Sequence, residues 1–245
     1  MGYNGKGYCG WQVQPNGSTV QQVVEDALAT LLREPTPIVG AGRTDAGVHA
    51  RMMVAHFDRE KAIDDLPFLV EKLNRLLPWD IAIDRIIPVR EDAHARFDAI
   101  SRTYHYYVTT RKDAFNYETV FRLHFLPNFE MMNEACQVLY EYIDFTSFSK
   151  LHTDVKTNNC RISHAAWTVE ESEVWRFSIT ADRFLRNMVR AIVGTLLEVG
   201  RGKLTIEGFK EIIEAKDRGK AGTSAPGHAL FLADIRYPED VFKVK

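Results

Sequence analysis

Residues 40–50, with the sequence GAGRTDAGVHA, combine one carboxylate, one guanidinium and three glycines in one short stretch. Asp45 lies at its middle, two residues after Arg43. The mainly apolar runs 36–39 and 52–57 flank the stretch, so it connects two predicted hairpin strands and is longer than a hairpin needs. Long ordered connections are disproportionately functional, and Gly42 and Gly47 would let the backbone turn sharply and bring Asp45 to a ligand. The alternative is a surface Asx-turn beside Arg43.

The residue types available narrow the chemistry of this loop. A glycosidase needs two acidic residues that flank the scissile bond, and this loop offers one. The three cysteines, Cys9, Cys136 and Cys160, show no CxxC spacing and are odd in number. This pattern favours neither a disulfide framework nor a zinc site, and it fits a reducing cytosol.

The overall composition is that of a globular chain. Its 245 residues are 45% hydrophobic and 26% charged, enough for one large domain or two of ordinary size. The formal net charge is -2, so any contact with nucleic acid must come from local patches. No run approaches the roughly 20 apolar residues of a membrane span, and the N-terminus lacks the apolar core of a signal peptide.

Hydrophobic periodicity predicts the elements that position the loop. A capping box at Ser18 and Gln21 opens a helix that ends before Pro35, and a second helix over 66–77 ends at Pro78. With the hairpin and a strand at 81–89, the first half reads α, β, β, α, β. The second half reads β, α, β, β, α, β with one added helix, from elements at 102–110, 129–142, 161–169, 174–180, 184–199, 205–215 and 231–237.

The second order is the ferredoxin-like split βαβ pattern, and the first is the same pattern without its opening strand. We therefore predict an α+β fold of two related halves, residues 1–98 and 99–245. Because the first strand of such a half is central, its absence should leave backbone groups unpaired beside residues 52–57. A chain extended upstream by about five to six residues, one strand, is then expected to be more stable and more active.

Two further stretches carry candidate site residues. Residues 183–203 hold five basic residues against Glu198 alone: Arg183, Arg186, Arg190, Arg201 and Lys203. Arg186 and Arg190 are four apart, which predicts one shared helix face. Two parallel cations favour an anion opposite them, whereas the alternative is a solvated helix face. On the strand from Arg102, alternation puts Tyr104 and Tyr106 on one face, and the alternative there is a half-buried strand that uses tyrosine for its β-propensity.

Six motifs in register carry a resemblance to a known family. Residues 42–49, GRTDAGVH, match the pattern G-R-T-D-x-G-V-H without a mismatch. The chain resembles the TruA family of tRNA pseudouridine synthases over nearly its whole length. The other matches, in chain order, are GWQ at 10–12, HARF at 94–97, RTYHY at 102–106, DFTSF at 144–148 and FLRNMVRAIVG at 184–194.

The resemblance implies two ferredoxin-like halves whose antiparallel sheets join around a central cleft. It implies an isomerase that converts uridine to pseudouridine at positions 38, 39 and 40 in the anticodon arm of tRNA, in the cytoplasm, as a homodimer and without metal or cofactor. The target uracil must leave the stack, so base flipping is required. The residues leave two routes open, in which the carboxylate adds to C1' or stabilises oxocarbenium character there.

Roles carried over from the family fall on matching positions. Asp45 supplies the carboxylate, Arg190 is its partner with Arg186 as second choice, and the ring of Tyr104 stacks on the base while its hydroxyl helps to move a proton. Arg43 holds RNA phosphate or helps to extrude the base. Thr44 and His49 complete the substrate-binding set, although His49 is also expected in the core with Trp11, Phe145 and Phe148, and Phe231 is expected close to the pocket.

An alternative from another class is a non-catalytic RNA-binding protein of two RRM-like halves. It would use stacking aromatics and needs no buried carboxylate. The aromatic-rich RNP1 pattern of true RRMs is absent, and the strand around Tyr104 matches it poorly.

Overall fold

A computed structural model describes residues 1–150 and 157–242. The chain forms two compact units, the first containing Met1–Ile100 and Leu232–Lys245 and the second containing Ser101–Phe231. The predicted halves differ from these units in the last segment, because the chain from Leu232 onward groups with the first unit rather than the second.

The first unit combines two helices with short strands. Helices α1 and α2 pack against each other, strand β2 pairs antiparallel with β4, and β1 pairs antiparallel with both β3 and β5. The elements are β1 (Gly2–Tyr3), α1 (Val20–Leu32), β2 (Val39–Gly40), β3 (His49–Ala50), β4 (Ala55–His56), α2 (Leu66–Leu76) and β5 (Ile81–Ala82), with 3₁₀ turns at Gly5–Gly7 and Glu239–Phe242.

The opening strand that the sequence analysis expected to be missing is represented by β1. Its two residues lie between β3 and β5, with Tyr3 opposite Ala50 on one side and Ile81 on the other. The amide of Met53 donates to the carbonyl of Met1 at 2.7 Å, and the amide of Arg51 donates to Leu232 at 2.8 Å. The expectation of unpaired backbone groups beside residues 52–57 is therefore wrong for Met53, and β1 occupies the central place.

The strands of this unit are shorter than predicted because side chains take over backbone hydrogen bonds. The side-chain amide of Asn74 on α2 bonds both the amide and the carbonyl of Ile83, at 2.8 Å each, so the strand predicted over 81–89 ends at Ala82. In the same way, Glu25 accepts from the amide of Ile38 at 2.9 Å, one residue before β2 begins. Backbone groups that are satisfied by side chains do not join a ladder.

The N-cap of helix α1 lies one residue later than predicted. The N-cap is Thr19, whose hydroxyl accepts from the amide of Gln22 at 3.4 Å, rather than Ser18. Gln21 does not complete a capping box on Ser18; its side-chain amide donates to Glu25 and to the carbonyl of Ile38. The helix ends at Leu32, before Pro35, as predicted.

The second unit has a predominantly antiparallel sheet with helices packed on it. Strand β9 lies between β6 and β8, both antiparallel, and β7 pairs parallel with β6. Helix α3 contacts β8, α4 and α5. The elements are β6 (Ser101–Thr109), β7 (Phe121–Arg122), α3 (Phe129–Val138), β8 (Ile162–Val169), β9 (Val174–Ala181), α4 (Met188–Gly200) and α5 (Ile206–Glu214), with 3₁₀ turns at Leu139–Glu141, Thr146–Phe148, Glu171–Glu173 and Gly227–Ala229. Strand β10 (Leu230–Arg236) contains the boundary after Phe231.

Helix α4 forms the centre of the second unit. Every residue from Met188 to Gly200 is buried except Arg190 and Glu198. The helix starts four residues later than predicted, at Met188, because its N-cap Asn187 has the left-handed φ of 66°. Arg186 therefore precedes the helix, and the predicted helical face shared by Arg186 and Arg190 is wrong.

The predicted α+β class is confirmed, and the order of elements in the second half is as predicted with β7 added. Trp11, Phe145 and Phe148 lie in the core, each at most 2% exposed. None of the helices within residues 1–150 and 157–242 has the length and apolarity needed to cross a membrane. The relation of the two halves by structural duplication stays a prediction.

Candidate active site

The Asp45 loop extends from the strand pair β2–β4 of the first unit. At the base of the loop, Gly40 lies opposite Ala55 in this strand pair. The next two residues are also joined, because the amide of Ala41 donates to the carbonyl of Val54 at 2.8 Å. Ala41 and Val48 are buried, whereas Arg43 and Ala46 are exposed. The loop thus has an inner side fixed in the core and an outer side open to solvent.

Thr44 anchors the loop immediately before Asp45. Its hydroxyl shares a hydrogen bond of 2.8 Å with the hydroxyl of Tyr3, and its carbonyl accepts from the amide of Trp11 at 3.2 Å. The Tyr3 and Trp11 rings stack with centroids 6.0 Å apart. Gly10 lies so close that a Cβ there would stand 2.4 Å from the Thr44 carbonyl oxygen, so this approach requires a glycine.

A second anchor follows Asp45. The carbonyl of Asp45 accepts from the amide of Val48 at 3.1 Å, in a turn that includes Gly47 at φ +74°. His49 is 1% exposed, and its Nδ1 accepts from the amide of Gly5 at 3.0 Å. Gly42, in contrast with its predicted role, does not use a left-handed conformation. Asp45 is half-buried between these two anchors, so its carboxylate is held on a rigid part of the loop.

These positions separate the candidates for substrate contact. Arg43 is exposed and open to a large ligand, as the prediction requires. Thr44 and His49 are at most 8% exposed and bind Tyr3 and Gly5, so these hydrogen bonds support the loop. Their assignment as substrate-binding residues stays a prediction.

The glycine at position 10 gives a direct test of this anchoring. We expect Gly10→Ala to destabilise the chain by about 2 kcal/mol and to reduce turnover, because its φ of +91° and the Thr44 carbonyl both oppose a Cβ. Thermal unfolding measures the first effect. Gly202→Ala is the control, since Gly202 has φ +71° but no atom within 4 Å of an added Cβ. Equal losses in the two variants would contradict the close approach.

Tyr104 lies in the second unit, opposite Ile179 on β9. Tyr106, on the same face of β6, is 0% exposed and donates its hydroxyl to the carbonyl of Pro226 at 3.0 Å. The ring of Tyr104 meets that of Phe184 edge to face, with centroids 5.0 Å apart, and remains half-buried. Tyr107 faces the other way, where its ring contacts Phe231 at 5.4 Å. The predicted alternation of the strand is confirmed.

Arg190 is held beside this tyrosine face. Its Nε donates to the carbonyl of Ala225 at 2.7 Å, and the amide of Ala225 donates back to the carbonyl of Arg190 at 2.9 Å. The Tyr106 hydroxyl donates to the carbonyl of Pro226, the residue after Ala225, so the two side chains bind neighbouring carbonyls. Burial raises the pKa of the Tyr106 hydroxyl, and the positive charge of Arg190 opposes that rise. Arg190 therefore emerges from a buried helix in a fixed direction.

The segment 222–226, which we call the strap, crosses α4 and was missed in the sequence analysis. A Cβ on Gly194 would stand 1.8 Å from the carbonyl oxygen of Thr223, so the strap lies directly on the helix. The hydroxyl of Thr195 accepts from the amide of Gly222 at 3.0 Å. The available signal was Gly194 inside an apolar helix, because such a glycine often marks close backbone packing.

The predicted basic cluster of residues 183–203 does not form one patch. Arg201 follows the last residue of α4, about 20 Å along the axis from Met188. There it pairs with Glu198 at 3.4 Å and covers the ring of Phe125 at 4.5 Å. Only Arg183, Arg186 and Arg190 remain near the start of the helix.

The structure therefore groups Arg43, Thr44, Asp45 and His49 in the first unit, and Tyr104, Arg186 and Arg190 in the second. The pairing of Asp45 with Arg190 joins the two groups and stays a prediction. Within residues 1–150 and 157–242, no three His, Cys, Asp or Glu side chains come together as metal ligands would.

Comparison with known proteins decides the family. The family model described as tRNA pseudouridine synthase matches residues 1–98 and 139–238. The chain belongs to the tRNA pseudouridine synthase family. It is similar to proteins named tRNA pseudouridine synthase A from Parabacteroides distasonis, at 71% identity over 100% of this chain and 97% of the relative, and from Bacteroides thetaiotaomicron, at 63% over 99% and 90%. A relative of the same name from Citrifermentans bemidjiense is 41% identical over 97% of this chain and 95% of its own length.

Membership in the tRNA pseudouridine synthase family confirms the predicted resemblance and the predicted isomerase class. The alternative of a non-catalytic tandem RRM-like protein is not supported. Residues 99–138, which include Tyr104, lie between the two parts matched by the family model, although the similarity to the relatives continues through them.

Proposed function

We propose that this tRNA pseudouridine synthase isomerises uridine at positions 38, 39 and 40 in the anticodon arm of tRNA, with Asp45 acting at C1' of the target nucleotide. The observation that carries the proposal is the double anchoring of the Asp45 loop, through Thr44 to Tyr3 and through His49 to Gly5. A carboxylate that must meet one carbon atom gains rate from such a fixed position.

The chemistry requires one bond to break and one to form. The N1–C1' bond breaks while Asp45 either adds to C1' or stabilises its developing positive charge. The uracil then rotates and forms a C5–C1' bond. C5 loses its proton and N1 gains one, so the nucleotide keeps its composition and needs no cofactor.

The remaining roles belong to side chains that can reach a flipped nucleotide. Arg43, exposed next to the anchored Thr44, holds phosphate or helps to extrude the base. Arg190, directed by the strap, acts as the counter-charge of Asp45, with Arg186 outside the helix as a further phosphate contact. Tyr104 stacks on the uracil, since its ring is half-buried against Phe184 and retains an open part.

The test of the function is direct. Unmodified tRNA is incubated with the purified chain, and pseudouridine is mapped by chemical labelling and primer extension. We expect label at positions 38, 39 and 40 of tRNAs with uridine there. Label elsewhere would keep the enzyme class and overturn the proposed positions, and no label would overturn the function.

The hydroxyl of Tyr104 has a testable part in the reaction. Tyr104→Phe should turn over at least about 100-fold more slowly and bind tRNA as before, if the hydroxyl moves a proton in the limiting step. Tyr107→Phe is the matched control, because Tyr107 lies on the opposite face of β6 and its hydroxyl contacts His105. Normal turnover of Tyr104→Phe would leave this residue only its stacking role.

We also propose that the protein is cytoplasmic and that it is a homodimer in which one tRNA touches both subunits. The state of the cysteines supports the first point: burial raises the pKa of the Cys160 thiol to about 12, and Cys136 is 0% exposed, as suits inert thiols in a reducing compartment. Light scattering should give twice the mass of one chain. An active monomer at working concentration would contradict the dimer.

A further inference from the structure

A cavity of about 610 Å³ opens in the second unit at the end of β6 distant from Tyr104. Its walls come from the end of β6, from the connection that follows it, from β7 and from the turn before β10. The apolar wall includes Val120, Phe121, Val174 and His228, and the rings of Phe121 and His228 lie 6.1 Å apart. Its volume falls in the range of sites that hold small ligands.

The mouth of the cavity is basic. Arg111, Lys112 and Arg122 all line it and are all exposed. In the described part of the chain, no carboxylate forms an ion pair with Lys112 or Arg122, whereas Arg111 lies 3.7 Å from Glu173. Cations without a protein partner beside an apolar wall fit a ligand that carries both an anion and a flat apolar surface.

The acidic residue of the lining is already engaged. The carboxylate of Asp113 accepts from the amide of Phe115 at 2.8 Å and from the side-chain amide of Asn116 at 2.7 Å. These hydrogen bonds, the one from Phe115 foremost, hold the pKa of Asp113 below its usual value. The carboxylate therefore stays ionised and bound within its own loop. Asp113 thereby holds the turn 113–116 of the connection and leaves Lys112 and Arg122 to face the opening.

Aromatic side chains stand beside the same mouth. Tyr117 lines the cavity and is 66% exposed, and Phe115, two residues earlier, is 94% exposed. Exposed rings next to unpaired cations are the combination with which proteins hold unpaired nucleotides, since bases stack on the rings and phosphates meet the cations.

We propose that this cavity binds an unpaired nucleotide of the tRNA substrate, separate from the target uridine. Its base enters against Phe121, Val174 and Tyr117, and its phosphate meets Lys112 and Arg122. The inference rests on the proposed function, which makes tRNA the substrate. The cavity residues 109–122 lie outside the parts of the chain that the family model matches.

The position of the cavity shows that its nucleotide and the target nucleotide are different ones. Tyr104 lies five residues before Thr109, the last residue of β6, and five residues of antiparallel strand span about 17 Å. A nucleotide in the cavity is therefore several positions away from a base at Tyr104. The cavity would set how the anticodon arm lies on the enzyme without taking part in the chemistry, which makes its residues positioning residues.

The first experiment removes the two unpaired charges. The double variant Lys112→Gln/Arg122→Gln should bind tRNA about tenfold more weakly at physiological salt, and the slope of log Kd against log salt should fall by about two. Turnover at saturating tRNA should be retained. Lys210→Gln/Lys220→Gln is the control, because it also removes two positive charges of the second unit outside the cavity, one at exposed Lys220 and one at half-buried Lys210, which pairs with Glu141 at 3.5 Å. Its binding should be that of the wild type.

The second experiment locates the RNA. A benzophenone amino acid replacing Tyr117 should crosslink to tRNA at a nucleotide other than the target, whereas the same probe replacing the exposed Ile143 should not. Ala114→Trp, which fills the cavity, should weaken binding as the double variant does. Thermal melts of all variants check that they are folded.

Binding and crosslinking are measured whether or not pseudouridine forms. Failure of the proposed function would appear as absent pseudouridine with the wild-type chain, and it would leave the two tests of the cavity interpretable. Wild-type affinity and salt slope in the double variant would overturn the cavity proposal. Conversion of a dimer to a monomer by the cavity variants would also overturn it, because the surface would then bind a second copy of the chain.

Discussion

Asp45→Asn should lose turnover by at least about 10⁴-fold while its affinity for tRNA stays within a few fold of the wild type. The amide keeps the size of the side chain and cannot act as an anion at C1'. Binding survives because many contacts with a large RNA share the binding free energy. Single-turnover pseudouridine formation and filter binding measure the two effects separately.

The anchoring of the loop makes the position of the carboxylate, as well as its charge, important for turnover. Asp45→Glu keeps the charge but moves the carboxylate by one methylene, and with Thr44 and His49 fixed in the core the loop cannot retreat to compensate. We expect this variant also to be severely impaired. Asp64→Asn is the control, as Asp64 is an exposed carboxylate of the same unit and should tolerate the change. Near wild-type turnover of Asp45→Asn would refute the assignment.

Arg190→Ala should lose at least about 100-fold in turnover and also unfold at a lower temperature. The activity falls because Asp45 loses its proposed counter-charge. The stability falls because the strap loses the hydrogen bond from Arg190 to Ala225. Arg201→Ala, at the other end of α4, removes an exposed arginine that pairs with half-buried Glu198 at 3.4 Å, and it should change neither quantity appreciably.

A double-mutant cycle tests the pairing itself. If Arg190 acts through Asp45, then Arg190→Gln should cost far less in the Asp45→Asn background than in the wild type. Additive losses would show that the two residues work independently. Arg190→Lys should not restore activity fully, because arginine donates from Nε to Ala225 and keeps its two terminal nitrogens for an anion, whereas lysine has only one nitrogen for both contacts.

Local patterns in the sequence predicted much of the fold correctly. The period of apolar residues placed α2 at 66–77 against the observed Leu66–Leu76, and alternation placed the strands β6, β8 and β9 to within a residue or two. The loop around Asp45 stood out for its glycines and its length. These features depend on residues that are close in the chain, so the sequence displays them directly.

Errors arose wherever a distant contact overrode the local pattern. The strand predicted over 81–89 stops at Ala82 because Asn74 captures the backbone of Ile83. The helix predicted from 184 starts at Met188 because Asn187 adopts a left-handed conformation, while its side chain donates to the hydroxyl of Ser224 in the strap at 2.7 Å. Neither contact has a periodic signature.

For the site, the sequence by itself determined which residue types are present and, through six motifs in register, which family they belong to. Only the tertiary structure decided how Asp45 is held, because Tyr3 and Thr44 are 41 positions apart and the hydroxyls meet only once β1 lies between β3 and β5. It likewise decided the direction of Arg190, through a strap 35 positions further along the chain. Hydrogen bonds between such distant residues exist only after packing brings them together, and a one-dimensional pattern does not record them.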